Sequence, residues 1–135
     1  MRYFCFIVMF LCVSSGFSQT VCFRIDSIKV YYTDWNTTYP LELEEDDLRF
    51  LKDGKKKIKV IKDSSVIQEF CKLQLYDSKK LIDYDYKDIR IVIDLYIHGS
   101  PTTISINKSK EYFYFKKCFI RNEELLNWIK LNVTN

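Results

Sequence analysis

The sequence predicts an α+β domain: a mainly antiparallel sheet of five or six strands with two helices packed on one of its faces. Three observations carry this. Residues 89–98 set Ile89, Ile91, Ile93, Leu95 and Ile97 against Arg90, Val92, Asp94, Tyr96 and His98, the period of two that a strand requires. Two other segments, beginning near Val66 and Leu125, repeat apolar residues at helical intervals behind capping residues. The order of elements is strands, helix, three strands, helix, unlike the strict alternation that builds a parallel sheet.

The first residues read as a signal peptide. Arg2 gives a positive start, and Tyr3 to Val13 is an apolar stretch followed by Ser14, Ser15 and Gly16. Gly16 and Ser18 occupy positions −3 and −1 of a cut before Gln19, which leaves 19–135 as a single domain. The apolar run is shorter than the roughly 20 residues that span a bilayer, so no stable membrane span is expected after cleavage. A lipid-modified cysteine needs a small residue before it; Leu11 precedes Cys12 and Val21 precedes Cys22. The expected location is secreted or periplasmic.

Along the mature chain, Ile28, Val30 and Tyr32 alternate with Lys29, Tyr31 and Thr33 as a strand. Phe23 and Ile25 fall on the opposite parity, which predicts a bulge near Asp26–Ser27. Asp34 to Pro40 reads as a loop, and Leu41 to Glu44 as the start of a short second strand. A helical turn is expected after Asp46 or Asp47, with Leu48, Phe50 and Leu51 as its apolar side and acids suiting the helix dipole. Asp53–Gly54 signals a turn into a strand over 57–61, so Lys55, Lys56 and Lys57 read as the wet side of a connection. Asp63 or Ser64 caps a helix whose core face is Val66, Ile67, Phe70, Cys71 and Leu73, and Ser65 with Gln68 has capping-box spacing. A polar loop spans 76–88. After the strand at 89, Gly99–Ser100–Pro101 turns the chain into 102–106, and 107–111 turns it into 112–115, with a last short strand over 118–120. Asn122 caps a terminal helix with Glu123 and Glu124 in its first turn and Leu125, Leu126, Trp128 and Ile129 on its apolar face.

If both helices cover one face of the sheet, the other presents Lys29, Tyr31, Arg90 and Tyr96, joined by Tyr112 and Tyr114 if their parity allows. Tyrosine and arginine are the residue types that dominate binding hot spots, so these four are the candidate binding residues.

Composition excludes several classes. With Arg2 removed, 20 basic residues face 18 acidic ones, a net charge of +2, which does not suggest nucleic acid as a partner. Three cysteines remain after cleavage, Cys22, Cys71 and Cys118, enough for one disulfide and a thiol and without ligand spacing for zinc. The single histidine, His98, has no nucleophile motif around it, so no catalytic residue is assigned. Gly54 and Gly99 are the only glycines beyond residue 18, too few for a phosphate loop. Asp83, Asp85 and Asp88 lack the glycine and distal glutamate of an EF-hand loop. Neither metal nor cofactor is expected. Sequons stand at Asn36, Asn107 and Asn132.

The leader ending GFSQ, followed by IDSIKVYYTDW, PLEL and KIKVIKDSSVIQEF, resembles a group of small secreted proteins of Bacteroidetes-type bacteria. The likeness continues through DIRIVIDLYIHGSPTTISI and EELLNWIK. It implies export but carries over no functional residue, since the group has no assigned activity. Asp26–Ser27–Ile28 is similar to the short O-glycosylation signal of such bacteria. The expected function is a non-enzymatic protein-interaction module, inhibitor or immunity-like, with an unknown protein partner. The alternatives are a small hydrolase using dispersed carboxylates and a structural or stress protein of the cell envelope.

Overall fold

The computed structural model describes residues 24–73, 75, 80–81, 88–114, 117–119 and 122–135. Residues 1–23, with the expected signal peptide, Cys22 and Phe23, lie outside that description, as do Asp83, Asp85, Phe115, Ile120 and the side chains of Tyr114 and Cys118.

The domain is α+β, built on an antiparallel sheet. Its strands are β1 (Ile25–Tyr32), β2 (Lys57–Ile61), β3 (Lys80–Leu81), β4 (Ile89–Ile97), β5 (Ser100–Asn107), β6 (Tyr112–Tyr114) and β7 (Lys117–Phe119). They lie in the order β2-β1-β4-β5-β6-β7-β3. Only β1, β2, β4 and β5 run to five residues or more. The count departs from the expected five or six because the polar stretch before residue 88 contributes a two-residue strand, β3, beside β7. The helices are α1 (Glu45–Phe50), α2 (Ser64–Cys71) and α3 (Glu123–Ile129), the last continuing as a π-helical turn over Lys130–Thr134. None of these is long and apolar enough to cross a membrane.

The alternating pattern of β1 and β4 puts Ile28, Val30, Ile91, Ile93 and Leu95 on one face, joined from β5 by Ile104 and Ile106. Onto that face α2 and α3 lay Ile67, Phe70, Leu125, Trp128 and Ile129. Each such burial removes a large apolar side chain from water, worth about 2 kcal/mol before entropy is counted. Phe70 meets Trp128 edge-on, with ring centroids 4.8 Å apart at 69°, which fixes the two helices against each other. Both caps form as expected: Asp63 accepts from Ser65 N–H at 2.8 Å, and Asn122 Oδ1 from Leu125 N–H at 2.9 Å.

The two hairpins around β5 explain its register. β4 and β5 are joined by His98 and Gly99, whose φ angles of 50° and 81° are the left-handed pair that a two-residue hairpin turn needs. β5 and β6 are joined through Lys110 at φ 66°, with Asn107 N–H donating to Glu111 O at 3.1 Å. That turn length sets Tyr112 opposite Ile106 and so on the helix-covered face. Tyr112 is fully buried there, its hydroxyl donating to Leu75 O, so it is not part of the open face.

Two bulges shift parity. The one expected near Asp26–Ser27 is present: Ile25 pairs with Ile97 and Ser27 with Tyr96, leaving Asp26 extra. The Asp26 carboxylate accepts from His98 N–H at 2.9 Å and so buttresses the neighbouring turn. The second bulge lies between Ile89 and Ile91, where β5 advances only from Asn107 to Ile106. It moves Ile89 to the face opposite Ile91. The strand expected over 41–44 does not form. Leu43 instead meets the sheet through its carbonyl, which accepts from Ile89 N–H at 2.7 Å, before the chain turns into α1.

Candidate functional site

The second face of the sheet is closed only in part, by α1. This helix begins at Glu45, earlier than the spacing predicted, because Asp47 Oδ2 accepts from Glu44 N–H at 2.9 Å and makes Glu44 the cap. Its first turn holds Glu45, Asp46 and Asp47 and its last Arg49, the polarity that the helix dipole favours. Leu48 is fully buried on Tyr31, Ile89 and Val92, with Leu51 beside it. Phe50, two residues and more than half a turn from Leu48, points away and is 82% exposed.

Six residues cannot hold a helix by themselves. Beneath α1 lies a polar clamp that the spacing of the sequence did not reveal. Arg49 donates to both oxygens of Asp94, from Nη2 at 2.7 Å and from Nε at 3.1 Å. Its Nη2 also reaches Thr103 Oγ1 at 2.9 Å, and Thr103 donates to Asp94 at 2.7 Å. Arg49 Nη1 meets Asp46 at 2.8 Å. One turn back, Ser105 donates to Glu45 Oε1 at 2.6 Å. Hydrogen bonding to Asp94 raises the Arg49 guanidinium well above its already high ordinary pKa, so it is charged at every accessible pH. Asp94, only 3% exposed, is therefore a satisfied structural carboxylate.

The four candidate binding residues divide. Lys29, Tyr31 and Tyr96 share the α1 face. The Lys29 ammonium lies 4.9 Å from the Tyr31 ring centroid, and hydrogen bonding with the Tyr31 side chain raises its pKa against the opposing effect of partial burial, with the Asp94 carboxylate adding to the rise. Tyr31 itself is not an exposed contact residue; it is 9% exposed because Leu48 packs on it. Arg90 is a clearer correction. At 1% exposure it is among the most buried side chains, turned at the β4 bulge toward the 34–40 loop. It donates to Thr37 O at 2.7 Å, pairs with Asp88 at 2.8 Å, and lies 5.1 Å from the Tyr39 ring centroid. Its role is to staple that loop to the sheet.

Sequence reasoning left Ile58 and Val60 without a face. The register sets them opposite Tyr31 and Lys29, hence on the α1 side, where they are 47% and 50% exposed. Lys57 and Lys59 point to the other side and are also exposed. The lysine run before them does more than wet a turn. Lys55 O accepts from Thr33 Oγ1 at 3.0 Å, and the Lys56 ammonium donates to Arg49 O at the end of α1. Beside α1 an open groove of about 520 Å³ is lined by Leu41, Glu42, Asp46, Asp47, Phe50, Lys52 and Lys55 among others. Among the described residues its lining carries carboxylates and ammoniums with no hydroxyl, thiol or imidazole.

His98 sits exposed at the tip of its turn. Among the described residues no three His, Cys, Asp or Glu side chains converge as metal ligands would. Cys71 is disulfide-bonded. Of the sequons, Asn36 is exposed, whereas Asn107 is 1% exposed and spends its side chain on Glu111. Ser27, the central residue of the O-glycosylation-like triplet, is half-buried in the sheet and paired with Tyr96. Comparison with family models, with curated proteins and with solved structures finds no match to this chain.

Proposed function

We propose that this chain is an exported, non-enzymatic module that binds another protein, as an inhibitor or immunity-like partner does, through the α1 face and the adjoining β2 edge. One observation carries the reading. The apolar side chains of the helix-covered face are buried under α2 and α3, while the opposite face leaves Ile58 and Val60 about half-exposed on β2. Exposed β-branched side chains on one side of a sheet edge are what an interface buries.

The carboxylates argue in the same direction. Asp94, Asp88 and Glu45 are engaged with Arg49, Arg90 and Ser105 respectively, so none is placed to activate water. Export is supported by the apolar leader with its Gly16–Ser18 cleavage pattern and by the Cys71 disulfide, a bond that persists in oxidising compartments. In place of Tyr31 and Arg90, the contact residues are Ile58, Val60 and Tyr96, with Lys29.

Affinity capture from a periplasmic or secreted fraction, run beside a broad hydrolase screen of the pure protein, tests this. A specific partner whose binding falls in Ile58→Asp and Val60→Asp, with both variants as thermally stable as the parent, supports the reading. Turnover of any substrate by the pure protein, or a partner indifferent to both substitutions, overturns it.

A further inference from the structure

Resting on that interaction reading, we infer that β2 receives an extended segment of its partner as an added strand, and that this segment alternates acidic with apolar residues. Among the described strands β2 pairs with β1 alone, so its other edge presents unpaired backbone donors and acceptors. Five residues give that edge a length of about 17 Å. Lysines on an edge strand commonly serve to repel other strands. Here the defence is one-sided. Lys57 and Lys59 guard one face of the edge, while Ile58 and Val60 stand half-exposed on the other.

Side chains of directly paired residues lie on the same face, so the occupant is specified position by position. Opposite Lys57 and Lys59 it needs carboxylates; opposite Ile58 and Val60 it needs β-branched or other apolar side chains. Charge excludes the simplest rival, a second copy. Residues 55–62 hold five lysines and no acid, so two such edges repel each other. An acidic segment is instead drawn to the edge before any hydrogen bond forms.

The probe is a blocked peptide of about eight residues alternating glutamate and valine, a length that covers β2 with one or two residues to spare at each end. Its controls are a peptide of the same composition with the glutamates in one block, and a lysine–valine alternation. Binding is followed by backbone amide shifts of the labelled full chain. The expected result is saturable shifts centred on Lys57–Ile61 with the alternating acidic peptide, at least about tenfold tighter than with the blocked arrangement. Methylating either all glutamate or all valine amides of the probe should abolish binding in one case and spare it in the other, because only one set faces the ladder. Lys57→Glu/Lys59→Glu should reverse the preference to the lysine–valine peptide, which a misfolded variant would not do.

Equal binding of both acidic arrangements, or equal binding of a single-stranded oligonucleotide, would reduce the edge to a non-specific anion surface and overturn the inference. So would shifts centred elsewhere, or concentration-dependent self-association with the same amide shifts and no peptide added. A captured partner indifferent to Lys57→Glu/Lys59→Glu but sensitive to Val60→Asp would keep the interaction reading and end this one.

Discussion

Replacing Arg49 by methionine keeps most of the side-chain stem and removes the charge that Asp94 faces. The consequence follows from burial. Asp94 is 3% exposed and takes both strong charge-assisted bonds from Arg49; only the Thr103 hydroxyl would remain. Breaking a buried pair by deleting one member costs about 3–5 kcal/mol, because the other charge is left without compensation. The Arg49 side chain is 20% exposed, so water can reach part of the vacated space and the lower end applies, about 3 kcal/mol. For a domain of this size that is roughly a 10–15 °C fall in Tm. Asp94→Leu should cost a similar amount, since it strands the guanidinium. The double variant Arg49→Met/Asp94→Leu should recover most of the loss, because a pair exchanged for apolar groups of similar volume is close to neutral. Urea denaturation of the four proteins gives the coupling energy directly, with about 2 kcal/mol or more expected. Additive losses in the double variant would show that Arg49 and Asp94 do not act as a unit, and α1 would then be held by Leu48 and by the Ser105–Glu45 and Lys56–Arg49 O bonds.

Other substitutions test the rest of the frame. Ile129→Asp puts a charge at a position that is 3% exposed beneath α3 and should cost several kcal/mol, on the order of 4, read from the denaturation midpoint. Gly99→Ala meets no steric obstacle but must adopt φ 81°, so a loss of about 1 kcal/mol is expected, whereas His98→Asn should be nearly neutral. Asp63 has its pKa lowered, first by the Ser65 hydroxyl and then by the Ser65 and Val66 N–H groups. A carboxylate lowered on folding stabilises above its unfolded pKa and loses that contribution as pH falls through the folded value. Stability should therefore decline below about pH 4 with a slope that Asp63→Asn reduces, measured as urea midpoints from pH 2 to pH 6.

What could be read in the sequence was local. The alternation of β4 from Ile91 onward, the helical spacing behind Asp63 and Asn122, and the parity slip at Asp26 each depend on residues within a turn or two of one another, and each is found in the structure. The misses depend on pairs distant in sequence. Arg49 and Asp94 are 45 residues apart, and nothing near either one shows that a basic helix end meets an acidic strand. Arg90 reads as a polar residue on an alternating strand, and only the bulge beside it turns it inward. Tyr112 was decided by the length of a turn, which sets the parity of everything after it. Local pattern names the elements, and register decides which side of them is wet.

That division bears on the site. The face formed by α2 and α3 rests on apolar periodicity and tolerates many hydrophobic exchanges of similar volume. The α1 face rests on the single buried Leu48 and on polar contacts: Arg49 on Asp94, Ser105 on Glu45, and the Lys56 ammonium on Arg49 O at the helix end. Loosening α1 would uncover Tyr31, Val92 and Ile89, extending the apolar strip that Ile58 and Val60 begin. The clamp therefore limits how much of the second face is exposed, and a partner that buries Ile58 and Val60 need not displace α1 to do so. Hydrogen exchange separates these two modes of binding. Protection gained at Lys57–Ile61 with the α1 amides unchanged is the outcome that the edge-strand geometry requires, whereas faster exchange in α1 on binding would mean that the partner pries the helix away.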